Sequence, residues 1–138
     1  MDWITDQIAI GNYLDAQDIE LLCHSKIMSA LSLDGTLYGR VPAECGLQRI
    51  ECVMLEDAPG NDPRLYRRSI EHLAHLVNGA PPVLVQCHAG RSRSAVVVAG
   101  YLIKHCDMTA DEALTLLAAK RQIAITAGVE RLLEHLDE

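Results

Sequence analysis

Cys87 and Arg93 stand six positions apart in the run Cys87-His88-Ala89-Gly90-Arg91-Ser92-Arg93-Ser94. A thiol and a guanidinium at that spacing suit phosphoryl transfer. A loop between a strand and a helix N-terminus can turn its N–H groups inward and cradle a phosphate, with the helix dipole adding positive potential. Arg93 can grip two phosphate oxygens with its planar fork. The same positive surroundings favour the thiolate of Cys87, the form that attacks phosphorus. The Cys/Arg pair alone carries little weight in a chain with five Cys and nine Arg. The flanks supply the weight. Pro82 to Gln86 reads as a central strand, Ala95 to His105 reads as a mostly buried helix, and Gly90 permits a tight turn.

The chemistry also needs an acid. Asp57, about thirty residues before the cysteine, lies in the loop Glu56-Asp57-Ala58-Pro59-Gly60-Asn61 and is the candidate, with a plain turn residue before Ala-Pro-Gly as the alternative. Glu56 competes with it. So does Asp62, although Asp62-Pro63 is better explained as the cap and first residue of a helix. Ser94 can start the following helix, with a part in the chemistry of the loop as the alternative. His88 and Arg91 lie within the loop, where side chains can face a substrate. Cys23, Cys45, Cys52 and Cys106 are expected to be ordinary packed thiols. Arg64, Arg67 and Arg68 read as a solvated helix face, with docking of an acidic partner as the alternative. His72 and His75 lack the further ligands that a metal site would need.

The elements that must hold these residues alternate in type. Gln7 to Ile10 predicts a short strand ending at Gly11. Asp15 is expected to cap a helix through Ala16, Ile19, Leu22 and Cys23. Ile27 to Leu33 reads as a buried strand, and Gln48 to Leu55 as another. A helix follows from Asp62 to Gly79, with Leu65, Tyr66, Ile70, Leu73, Leu76 and Val77 on one face. Thr109-Ala110-Asp111-Glu112 is a capping box for a helix through Leu114, Leu117 and Ala118. A last helix is expected from Val129 to Leu136. The whole is an α/β layer fold: one domain over residues 1–138, with a mixed, mostly parallel sheet flanked by helices.

Composition bounds the function. Apolar residues make up 49% of the chain, with no Phe and one Trp, so aliphatic side chains must fill the core. A net charge of −7 argues against a nucleic-acid partner. The longest apolar stretch, Ala95 to Ile103, is too short to span a bilayer. The N-terminal residues lack a basic flank and a long apolar run, so no signal peptide and a cytoplasmic location are expected. An odd cysteine count without a Cys-x-x-Cys pair argues against both a disulfide framework and zinc.

The stretch Gln86-Cys87-x5-Arg93-Ser94 resembles the hallmark loop of the cysteine-based tyrosine and dual-specificity phosphatase superfamily, His-Cys-x5-Arg-Ser/Thr. The likeness is greatest to its small dual-specificity members. Ile8 to Asn12, Val53 to Asp57 and Ala95 to Leu133 resemble the family's opening, acid-loop approach and helical C-terminal half. The resemblance implies four roles. Cys87 is the nucleophile, Arg93 binds phosphate and the transition state, Asp57 is the general acid and then base, and Ser94 helps expel the Cys87 sulfur. It also implies a phosphate cradle from His88, Ala89, Gly90, Arg91, Ser92 and Arg93, with no metal and no cofactor. The expected substrate is phosphotyrosine or a mixed phosphoprotein. A phosphoinositide or phosphatidylglycerophosphate type of substrate is the alternative, and the oligomeric state is left open. One departure stands out: Gln86 occupies the place of the usual His and cannot carry a positive charge.

Overall fold

In the computed structural model, residues 1–137 are described. Five strands form one sheet in the order β1-β2-β5-β3-β4, where β1 is Asp2–Trp3, β2 Ile8–Gly11, β3 Ser29–Ser32, β4 Arg49–Cys52 and β5 Val83–Gln86. Only β1 pairs antiparallel; β2, β5, β3 and β4 run parallel. Strand β5 is central. Gly11 of β2 and Ser32 of β3 sit directly beside Gln86, the residue before Cys87. The loops that follow the parallel strands therefore leave the same sheet edge.

Alternation along the strands sends side chains to two unequal faces. Ile8, Ile10, Leu31, Val83 and Val85 join a large core with helices α3 (Pro63–Gly79), α4 (Arg93–His105) and α5 (Ala110–Lys120) and with the 3-10 turn Val129–His135. Ala9, Ala30 and Leu84 point the other way, into a smaller core with Ala16 and Leu22 from helices α1 (Tyr13–Gln17) and α2 (Ile19–His24). Each large aliphatic side chain taken out of water stabilises by about 1.5–3 kcal/mol, so the first face carries most of the apolar stabilisation. Helix α4 is buried from Ser94 through Gly100. Tyr66 of α3 lies fully buried against it and donates its hydroxyl to the Val96 carbonyl at 2.8 Å. A methyl group at Gly100 would collide with that hydroxyl, so glycine sets the α3–α4 approach.

Several boundaries differ from the expectation. Asp15 is not the cap of one helix. Asn12 caps α1 through the Leu14 and Asp15 amides, and Asp15, the third residue of the helix, answers as the partner of a capping box by accepting from Asn12 N. Asp18 then breaks the chain and caps α2 through Leu21 N. The competing side-chain acceptors, spaced six residues apart, split the helix in two. The last helix is a 3-10 segment, Val129–His135. Helix α4 begins at Arg93, two residues earlier than the apolar pattern suggests. Strand β1 has only two residues and no pattern that could announce it. The Asp62 cap and the Thr109–Glu112 capping box are both present.

Candidate active site

The six-residue connection from β5 to α4 turns on Gly90, whose φ is +67°. Three of its carbonyls are satisfied from outside. Tyr13 N donates to His88 O at 3.0 Å, Arg121 Nε to Gly90 O at 2.6 Å and Ala124 N to Arg91 O at 3.0 Å. Thr126 N donates to the Ser92 hydroxyl at 2.9 Å. The segment after α5 thus clasps three successive loop residues. Among the described residues, none of the amides from His88 to Ser92 has a protein acceptor. A run of loop amides without protein acceptors at a helix N-terminus suits an anion.

The side chains at this loop converge on the same place. Cys87 is buried, and its sulfur lies 3.2 Å from the Ser94 hydroxyl. Arg93 Nη1 donates to Leu55 O at 3.0 Å, while Arg93 Nε is buried without a partner among the described residues. That leaves part of the guanidinium fork free. A cavity of about 230 Å³ is lined by Asp57, Cys87, His88, Ala89, Arg91, Ser92, Arg93 and Ala124. A larger one, about 320 Å³ between α3 and the C-terminal turn, holds Arg67, Glu71, Lys104 and Asp137 but no nucleophile. Chemistry, not size, marks the first as the site.

Asp57 reaches the cavity because the β3–β4 pairing runs on past β4. Val53 N and Leu55 N still donate to Ser32 O and Leu33 O, both at 3.0 Å. Asn61 then braces the turn, accepting from Glu56 N at 2.7 Å and donating to the Glu56 and Ala58 carbonyls at 2.8 and 3.1 Å. Pro59 packs against Gly128, where a Cβ would sit 2.8 Å from the proline Cβ. Asp62 is elsewhere employed. It accepts from Arg64 N, and this bond with the Arg64 guanidinium holds its carboxyl below the usual range. Glu56 is exposed and does not line the cavity.

Of the cradle residues, Gly90 supplies the turn and is not in the cavity wall. His88 is exposed, with its ring stacked on Tyr13 at a centroid distance of 4.5 Å and 2° between planes. Arg91 is exposed at the mouth. Gln86 is fully buried and bonds to Ser32, Asp34 and Thr36. Arg121, Ala124, Thr126, Asn61 and Tyr13 went unnoticed in the sequence. Only Asn61, in a Pro-Gly-Asn-Asp-Pro turn, had a local signal. His72 faces Glu51 at 3.4 Å, and among the described residues no three His, Cys, Asp or Glu side chains cluster as metal ligands would.

Known proteins share this fold. The catalytic-domain model of the dual specificity phosphatases matches residues 16–136. Mouse dual specificity protein phosphatase 22 is 30% identical over 140 residues, covering all of this chain and 74% of its own length. The Arabidopsis dual specificity protein phosphatase PHS1 is 28% identical, over 98% of this chain and 15% of its own. Among solved structures, a mouse protein crystallised as a dual specificity phosphatase with zinc tungstate superposes with a TM-score of 0.84 at 25% identity, covering 99% of this chain and 85% of that one. Human DUSP28 gives 0.85 at 20% identity, covering 99% and 95%, and supports the fold. The curated relatives carry protein phosphatase names, which does not favour the lipid alternative. No helix among the described residues is long and apolar enough to cross a membrane. A family match over most of the chain, on a loop that brings a buried cysteine and the Arg93 guanidinium to one cavity, assigns this chain to the dual specificity phosphatase family, the cysteine-based protein phosphatases.

Proposed function

We propose that the chain hydrolyses phosphotyrosine, and also phosphoserine and phosphothreonine, in proteins through a phosphocysteine on Cys87. The observation that carries this reading is one cavity lined by Cys87, Arg93 and Asp57, at a loop whose amides and Arg93 Nε have no protein acceptor among the described residues. Tungstate, the ion crystallised with the mouse relative, is a tetrahedral oxyanion of phosphate's shape.

In the first step the Cys87 thiolate attacks phosphorus. The S–P bond forms as the P–O bond to the substrate breaks, and Asp57 gives its proton to the departing oxygen. Arg93 and the amides of His88 to Arg93 hold the three equatorial oxygens, stabilising charge where it gathers in the transition state. In the second step water attacks phosphorus. Asp57 takes the water's proton, the S–P bond breaks, and the Ser94 hydroxyl, 3.2 Å away, donates to the leaving sulfur. Inorganic phosphate departs. His88 and Arg91 face the protein part of the substrate at the mouth. Residues 1–138 act as one catalytic domain, and the free thiol it depends on suits the reducing cytoplasm.

Rapid quench of the wild-type enzyme with a ³²P-labelled phosphotyrosine peptide tests the mechanism. The expected result is a transient label on the peptide containing Cys87, stable to acid quench and absent from Cys87→Ser. Label on another residue, or turnover without any labelled protein, would overturn it.

A further inference from the structure

Beneath the loop lies a polar network that the mechanism above does not use. Gln86, the residue before Cys87, has no exposed surface. Its Oε1 accepts from the Ser32 hydroxyl at 2.6 Å. Its Nε2 donates to Asp34 Oδ1 at 2.8 Å and to Thr36 Oγ1 at 3.2 Å. Asp34 is held in turn by Thr36 N and the Thr36 hydroxyl, each at 2.9 Å. Leu37 N donates to Ser32 Oγ at 3.4 Å, and Leu33 N donates to the Gln86 carbonyl at 2.8 Å. The end of β3 and its following turn therefore grip Gln86 by both backbone and side chain.

The network has a direction, and Asp34 sets it. A carboxylate only accepts, so Gln86 must present its NH2 group there and its carbonyl to Ser32. Ser32 must then donate to Gln86 and accept from Leu37. Serine and threonine hydroxyls could serve either way round; only the carboxylate breaks the symmetry. Burial alone would push Asp34 up, but the Thr36 N–H, the Gln86 amide, the Thr36 hydroxyl and the nearby Arg93 charge outweigh it. Together they hold Asp34 below its ordinary value, so it stays ionised and acceptor-only at neutral pH.

We propose that Asp34 is a positioning residue for the reaction: it locks the Gln86 amide in one orientation and so fixes the backbone from which the Cys87 loop departs. The inference rests on the reading of Cys87 as nucleophile. It deepens that reading by naming what replaces a charged partner under the loop. A neutral side chain with two free orientations could not hold the loop by itself. One anchored to an ionised carboxylate can.

A double-mutant cycle tests this. Asp34→Asn keeps the shape but can donate as well as accept, so the Gln86 amide can flip. Small misplacements of a nucleophile are costly, up to about a hundredfold for an ångström. Asp34→Asn is expected to lower kcat about tenfold with an aryl phosphate while KM stays within about twofold. Gln86→Met should show a similar loss, and the double variant should be no worse than Gln86→Met alone, because coupled residues are non-additive. A general structural role would instead give additive losses or move KM and kcat together; either result overturns the proposal, as does wild-type kcat in Asp34→Asn. If Asp34→Asn does not fold, the wild-type protein still decides. The Gln86 Nε2 protons should exchange with deuterium at least about tenfold more slowly than those of an exposed glutamine, and exchange at the free rate overturns the lock. A wild-type rate in Cys87→Ser would sink the underlying mechanism instead, which keeps the two failures apart.

Discussion

The inner and outer surfaces of the Cys87 loop are built on opposite principles. Inside, donors outnumber acceptors: the amides and Arg93 Nε have no protein partner. Outside, the His88, Gly90 and Arg91 carbonyls and the Ser92 hydroxyl are met by Tyr13, Arg121, Ala124 and Thr126. The inner surface holds its binding capacity unspent for an anion. The outer surface keeps the loop from relaxing to satisfy those donors itself. Reactivity and shape are thus assigned to different residues, and substitutions can separate them.

The largest expected effect is on the inner side. Cys87→Ser should abolish turnover yet retain vanadate or phosphate binding, measured by calorimetry, because the cradle is intact and only the nucleophile is lost. If oxyanion binding vanished too, the sulfur would belong to the cradle. Next, Arg93→Lys should lose about 10²–10³-fold in kcat/KM, nearly as much as Arg93→Ala, since a point charge cannot replace the fork. A mild loss would mean that charge suffices without geometry.

Asp57→Asn should lose about 10²–10⁴-fold with a phosphopeptide and far less with an activated aryl phosphate, whose leaving group needs little protonation. Asp62→Asn should show no dependence on the leaving group. Reversal of those two results would move the acid five residues along. On the outer side the effects should shrink. Arg121→Met removes the Gly90 contact but no group that touches phosphate, so kcat/KM should fall about tenfold, with the loss shared between affinity and rate. Ser92→Ala removes only the acceptor for Thr126 N. One such bond is worth about 1 kcal/mol, so a loss of about fivefold or less is expected, visible also as a lower Tm. An outer-side loss as deep as that of Arg93→Lys would erase the distinction.

The same division governs what could be read from the sequence. The inner surface is contiguous in the chain, so Cys87, Arg93 and Ser94 declare themselves by spacing, and the flanking strand and helix by their apolar patterns. The outer surface is assembled from distant segments. Arg121 ends a helix and gives no sign that it will reach Gly90, with its other arm on Asp2 at 2.8 Å. Gln86 could be seen to differ from the usual His, but its partners come from a turn some fifty residues earlier. Asp57 was accessible through the strand before it, because strand pairing carries register to the edge. The Asp15 cap failed for a local reason: three side-chain acceptors, Asn12, Asp15 and Asp18, competed within one short stretch.

The contact between Pro59 and Gly128 has a consequence for inheritance. Gly128 adopts a φ of +94°, and a side chain there would press on the proline of the turn that carries Asp57. The two positions lie far apart in the gene but share one volume. A side chain at residue 128 would also press on residue 59, and a displaced residue 59 moves the acid. Change at residue 128 is therefore expected to meet two barriers at once, the backbone strain of a side chain at that φ and the pressure it would put on the turn that carries Asp57.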